Sequence, residues 1–366
     1  MNAKFFVAIL GAALSLATGA AHAQTLTYGS GAPERANFHE KGVKPMMGAI
    51  TEATDGKVKF RGLYGGTVVK LDTTLQGIRD GIVDSGYLIT SFHPAELPHV
   101  GMLGEMSALA SDPFAAAGAA NEFLFKHCET CREDLAKQGQ EAVFMWATSP
   151  MSMVCAGNLS EASDLRDRRV SIIGSGDARW ASALGMAPTR TAISDLASSL
   201  QLGRSDCAIV PINWIRSYGL TDIAKTVFTM PQGIGAGAIP LAVRAESWAK
   251  LPPEHRQAIQ AAVAQGLYGW IEGAYLDADK EVREQTRDRI RYIDEDAALA
   301  KAWEAHRQQE IQALIELAKR RGIAEPEKFV NDAAAVFRKW HDEHLPRFAG
   351  KPEVYAEILQ KELFGQ

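Results

Sequence analysis

Cys128-Glu-Thr-Cys131 is the densest group of reactive side chains in this sequence. A C-x-x-C pair could be a redox dithiol, half of a metal site, or a local structural bridge. Redox pairs usually open a helix after a βαβ strand, whereas this one follows the helical run Ala115–His127. His127 precedes the first cysteine, so the haem-attachment order C-x-x-C-H is absent. A local disulfide is the expected role. Cys155 and Cys207 fall on two predicted strands and are candidates for a second bridge, with the connectivity open. Asp84 and Asp206 offer a second kind of chemistry, a carboxylate pair for acid–base work. Each follows a glycine that ends a helix, Gly81 or Gly203, where turn and capping roles account for it. His341 and His344, three apart on a charged helix, offer two metal positions or a solvated helix face, and the solvated face is expected. Gly233-Ile-Gly-Ala-Gly237 resembles part of a dinucleotide loop but precedes an apolar strand instead of opening a helix. No nucleophile elbow, P-loop, H-E-x-x-H or zinc ribbon is present. These residues organise no reaction, so the expectation is a non-enzyme without cofactor or metal.

The elements around them repeat a phrase. Leu75-Gln-Gly-Ile-Arg-Asp-Gly81-Ile-Val-Asp84-Ser-Gly-Tyr87-Leu-Ile has a counterpart in Leu196-Ala-Ser-Ser-Leu-Gln-Leu-Gly203-Arg-Ser-Asp206-Cys-Ala-Ile-Val210. Both read as an amphipathic helix stopped by Gly, a polar turn with Asp, and a short strand. Two such units predict two α/β lobes, and two lobes imply a ligand cleft. Pro252-Pro253-Glu254 starts a helix whose apolar residues (Ile259, Val263, Leu267, Trp270, Ala274, Ala278, Val282) recur every three or four positions to about Arg289. At about 1.5 Å per residue it spans roughly 50 Å, longer than one small lobe. A helix of that length can brace both lobes along one side.

The ends and the composition bound the setting. Lys4, the apolar run Phe5–Ala20 and Ala21-His22-Ala23 before Gln24 form a signal-peptide pattern over residues 1–23. The run is short for a spanning helix and no basic cluster follows it. No cysteine stands at the cleavage point, so lipid attachment is not expected. The mature chain is expected to be exported, soluble and periplasmic. Hydrophobic residues make up 46% of the chain and charged residues 23%, enough for a sizeable core. A formal charge of −5 without a basic stripe argues against nucleic acid or an anionic membrane as partner.

Asp164-Leu-Arg-Asp-Arg-Arg-Val-Ser171-Ile-Ile-Gly174, then Leu184-Gly-Met-Ala-Pro188 and Leu200-Gln-Leu-Gly203-Arg-Ser-Asp206, resemble a known family. They are similar to the periplasmic solute receptors of TRAP (tripartite ATP-independent periplasmic) transporters, of the dicarboxylate-receptor type. Gly56-Lys-Val, Gly65-Gly66, Gly81–Asp84 and Trp248-Ala-Lys-Leu-Pro-Pro extend the resemblance over nearly the whole mature chain. It implies an α/β, two-lobed periplasmic binding protein with a long helix spanning both lobes and a helical C-terminal tail. It also implies a small organic solute in the interlobe cleft and delivery to a membrane permease driven by an ion gradient. The corresponding organisation is lobe one over 24–147 and about 237–272, and lobe two over 148–236 and about 273–366 with the tail. The alternative is a sensory adaptor that presents the loaded form to a membrane signalling protein.

The sequence departs from that family at its most telling place. The family's strand Arg, which binds the solute carboxylate through two hydrogen bonds, is matched by Ser171, and its supporting Asn by Val210. A hydroxyl has one donor, no charge and no fork. Tyr87, Ser91, Trp146, Thr148, Ser171, Trp180, Asn213 and Trp214 are the candidate ligand-binding residues, with His93 beside them and Arg179 or Arg190 as displaced positive charges. Together they predict an aromatic-walled pocket with few charges. Such a pocket suits an aromatic solute, an apolar acid held by neutral donors, or an amine held by ring faces.

Overall fold

The computed structural model describes residues 23–364. The signal peptide expected over 1–23 lies outside them but for its last residue. Among the described residues the strands form two sheets. The first contains β1 (Gln24–Gly29), β2 (Val58–Leu63), β3 (Ser85–Ile89), β4 (Gln140–Ala142) and the later β10 (Ala238–Arg244), in the order β2-β1-β3-β10-β4. The second contains β5 (Ser152–Cys155), β6 (Arg169–Ile172), β7 (Ala187–Arg190), β8 (Cys207–Val210), β9 (Thr226–Phe228) and β11 (Arg291–Ile293), in the order β11-β9-β5-β8-β6-β7.

Each copy of the repeated phrase supplies an interior strand of one sheet. β3 (Ser-Gly-Tyr-Leu-Ile) and β8 (Cys-Ala-Ile-Val) are apolar runs without alternation, as strands covered on both faces require. Gly81 and Gly203 both have left-handed φ angles, 73° and 64°. The aspartate that follows each one clamps the start of the parallel neighbour. Asp84 accepts from the Thr27 N–H at 2.9 Å and the Thr27 hydroxyl at 2.7 Å. Asp206 accepts from the Arg169 N–H at 2.9 Å and from its guanidinium. The two acids are structural, each in its own lobe, and do not form a pair.

Cys155 and Cys207 are opposite each other in the β5–β8 ladder and form a disulfide. Cys128 and Cys131 form the local bridge at the start of the helix Glu129–Lys137.

The long helix runs over Pro253–Ile271, a π turn Glu272–Leu276, and Asp277–Thr286. Ile259, Val263 and Leu267 join the first lobe's core, whereas Val282 joins a core of the second. A second spanning helix, Ala297–Arg320, does the same in reverse: Leu299 packs in the second lobe, Leu314 to Ala318 in the first.

That return corrects the expected course of the C-terminus. The tail expected in lobe two within about 273–366 packs on lobe one. Trp340, Phe348, Tyr355 and Leu359 are fully or almost fully buried in the first lobe's core. The Tyr355 ring meets Phe114 and Tyr268, which themselves stack at 3.8 Å, and its hydroxyl donates to the Phe114 carbonyl. A solvated face for the two histidines is also half wrong. His341 is exposed beside Asp342, but His344 is buried against the Trp340 ring.

Candidate functional site

The sheets leave a cavity between the lobes, under the π turn of the long helix. Together with the open solvent at its mouth it takes in about 800 Å³ of space free of protein atoms. Rings dominate the wall: Phe38, Tyr87 and Tyr275 with Trp214 and Tyr218. Leu71, Ile89, Met151, Ile173 and Ile193 fill between them. The π turn inserts one extra residue where the helix passes between lobes, and Tyr275 from that turn faces the cavity.

Of the eight candidates, Tyr87, Ser91, Thr148 and Trp214 line the cavity. The other four stand behind it. Trp146 is fully buried and donates its Nε1–H to the Tyr87 hydroxyl at 3.2 Å, so it fixes a wall ring from outside. Asn213 donates through its N–H and amide nitrogen to Asp279 Oδ1 at 2.7 and 2.6 Å. Trp180 donates to Gln232 at 2.7 Å and packs on Trp303 and His306. Ser171 points into a hydroxyl cluster with Ser205 at 2.8 Å and Thr191 at 2.9 Å. Its alternating strand position sends it away from the face that Val170 and Ile172 give to the core.

Neither displaced arginine reaches the wall. Arg179 is held by both oxygens of Glu310 and by the Ser175 hydroxyl. Arg190 is exposed and reaches only the Ile173 carbonyl, at 3.4 Å. His93 is buried outside the lining.

The two crossing segments, of which 233–237 is glycine-rich, form the seam. The Thr148 N–H donates to the Gly235 carbonyl at 2.9 Å, and the Gly235 N–H donates to the Thr148 hydroxyl at 3.1 Å. Gly104 and Gly237 touch so closely that a Cβ on Gly237 would lie 2.3 Å from the Gly104 Cα. The pattern rejected as a dinucleotide loop is therefore part of the cavity floor, and glycine is there for close backbone approach.

The most informative residue missed by the sequence reading is Asp177, on the helix Ser175–Ala183 that Gly174-Ser-Gly176 opens. Its Oδ2 accepts from the N–H groups of Ile173 and Gly174 at 3.1 and 3.0 Å. The next two N–H groups, of Ser175 and Gly176, are taken by Glu105, which reaches from the first lobe to accept them at 2.9 and 3.3 Å. Glu105 is itself paired with Arg321 at 2.6 Å, and the two are 3% and 8% exposed. The amide groups at this helix start, a natural anion site, are thus occupied by two of the chain's own carboxylates. Burial pushes the Asp177 carboxyl up to about 6 against its two amide donors, and Glu105 nearby adds to the rise while Arg179 opposes it. Burial likewise raises the Tyr87, Tyr218 and Tyr275 phenols, which stay neutral. An acid in a D-A-R-W helix start carries no sequence signal of its own, because capping explains it equally well.

Similarity to known proteins agrees with this geometry. The family model for bacterial extracellular solute-binding protein family 7 (DctP) matches residues 29–319. No curated relative matches the sequence. Among solved structures, the chain is similar to a TRAP periplasmic solute-binding protein of Bordetella bronchiseptica with bound (R)- and (S)-mandelate, with a TM-score of 0.72 and 19% identity over 86% of this chain and 99% of that one. A TRAP solute-binding protein of Rhodoferax ferrireducens with copurified benzoate gives a TM-score of 0.74 and 17% identity over 87% and 98%. An extracytoplasmic solute receptor of Bordetella pertussis that binds pyroglutamic acid gives 0.69 and 17% over 86% and 100%. With its two lobes, spanning helices and interlobe cavity, the chain belongs to the bacterial extracellular solute-binding proteins of family 7.

Proposed function

We propose that this receptor captures a small ring-bearing organic solute in the interlobe cavity and delivers it to a TRAP membrane permease. The observation that carries the solute class is the wall: five aromatic side chains drawn from both lobes, with hydroxyl and indole groups at their edges. Rings of this kind gain area burial and ring–ring contact from a flat apolar body. Solved neighbours hold mandelate, benzoate and 3-hydroxybenzoate, which are one-ring solutes. Export fits the signal pattern at residues 1–23, and among the described residues no helix is long and apolar enough to cross a membrane. Closure is hinge motion at the Thr148–Gly235 seam, stabilised by contacts from the solute to both lobes.

A thermal-shift and calorimetric screen of the protein purified from the periplasm, across one-ring solutes, sugars and aliphatic dicarboxylates, tests this. At a hundredfold excess over Kd, a true solute adds about 2.7 kcal/mol to stability, visible as a rise in Tm. A preference for sugars or dicarboxylates over every ring-bearing solute would sink the reading.

A further inference from the structure

We propose that Asp177 makes this cavity a site for a protonated amine, with the ammonium at its free carboxylate oxygen and the body of the solute against the aromatic wall. This rests on the reading of the cavity as the solute site and names the solute's head group.

Three observations carry it. First, among the described residues no Arg, Lys or His lines the cavity, and Asp177 is the one carboxylate that does. The basic groups nearest to it are already paired: Arg179 with Glu310, Arg321 with Glu105. A carboxylate solute would meet no cation on the wall and would face the charge of Asp177. Second, Asp177 is 9% exposed and uses only Oδ2 within the protein, while Oδ1 accepts no hydrogen bond from the described residues. Oδ1 is not sealed in the protein but keeps access to the cavity that Asp177 lines, so an N–H donor on the solute can reach it. Third, the amide groups that would otherwise receive an anion at this helix start already donate to Glu105 and Asp177. An ammonium gains a charge-assisted hydrogen bond there, and the ring faces around the cavity add cation–π attraction.

The groups facing Asp177 are Glu105 from the first lobe and Arg179 on its own helix. Glu105 adds negative potential, and the Arg179 guanidinium is turned to Glu310 on the second spanning helix. Burial pushes the carboxyl up to about 6. Amine binding requires it ionised, so affinity is full above about pH 6 and falls below it.

The test is calorimetry with matched head-group triplets on one body: benzyl, 2-phenylethyl and 3-phenylpropyl amines, the carboxylates of the same length and the corresponding alcohols. The protein comes from the periplasm and is freed of co-purified solute by unfolding and refolding with its disulfides intact. The best amine is expected to bind at least tenfold tighter than its carboxylate partner, and about tenfold weaker at pH 5 than at pH 7. In Asp177→Asn the amine is expected to lose at least tenfold while the alcohol changes less than threefold. The pH series on the unaltered protein keeps the test open if that variant folds poorly. A carboxylate that binds as tightly as its amine would overturn the proposal and leave the receptor reading standing, as would an unchanged amine affinity in Asp177→Asn. If no member of any triplet binds, both the amine head and the ring-bearing solute are overturned.

Discussion

At the residue scale, burial decides how this protein responds to acid. Asp279, under the long helix, has its carboxyl pushed up to about 6 by burial, against the donors of Asn213. Between about pH 6 and 4 the folded chain holds a proton there that the unfolded chain has released, so stability rises as pH falls through 6. His39 and His306 act in the opposite sense. Burial lowers both to about 4, from 6.5. Their contribution is complete above 6.5 and lost as pH falls toward 4, because only the unfolded imidazoles take up protons in that window. The Asp279→Asn variant should therefore lose more stability than the parent between pH 7.5 and pH 5, by an increment on the order of 1 kcal/mol, read as a larger drop in Tm. His306→Gln should lose less. Thermal melts at the two pH values check both, and equal acid sensitivity of the three proteins would contradict the assignment. The turn roles of Asp84 and Asp206 were legible from glycine spacing. The role of Asp177 was not, because a capping acid and a ligand-facing acid occupy the same sequence context.

At the element scale, each lobe is tied by a different device. The Cys155–Cys207 bridge joins adjacent strands across 52 residues. Chain entropy for a loop of that length assigns it about 4 kcal/mol, against roughly 2 kcal/mol for the three-residue Cys128–Cys131 bridge. Replacing Cys155 and Cys207 together by Ala should lower the denaturant midpoint clearly more than replacing Cys128 and Cys131. In lobe one the corresponding device is the contact between the tail and the helix Pro113–Glu122. A Cβ on Gly118 would lie 2.2 Å from the Trp340 ring. Gly118→Ala should cost about 1–3 kcal/mol through overpacking, although alanine favours helix. A stabilised Gly118→Ala protein in guanidinium melts would show that the tail does not rest there. The sequence predicted the local Cys128–Cys131 bridge and set Cys155 and Cys207 on strands as candidates for a second, whose pairing the tertiary structure fixed. It did not place the tail, because helical periodicity marks which face is apolar without saying which surface covers it.

At the scale of the whole molecule, the lobes are joined by two crossing segments, two spanning helices and the buried Glu105 latch. Glu105 belongs to lobe one, yet it caps a helix of lobe two and pairs with Arg321 at the end of the second spanning helix. Substituting Glu105→Gln leaves Arg321 buried without its counter-charge, a loss of about 3–5 kcal/mol for a pair of this kind. It should also loosen closure. Small-angle scattering should give the solute-free variant a larger radius of gyration than the parent, and added solute should shrink it. A variant with the parent's radius and Tm would mean that the latch does not hold the lobes. The resemblance to the receptor family matched Ser171 to its strand arginine, and the candidate residues predicted aromatic walls; by itself the sequence determined that there are two α/β lobes and that a long helix spans them. Those properties follow from local periodicity, turn residues and chain order, which are written along one stretch at a time. Only the tertiary structure decided that Ser171, Trp180 and Asn213 turn away from the cavity, and that Phe38, Tyr218 and Tyr275 face it. It also decided that Glu105 crosses the cleft to fill the anion-binding amides, and that the tail returns to lobe one. Each of these depends on which distant surfaces meet, and local sequence does not encode such contacts between residues dozens to hundreds of positions apart.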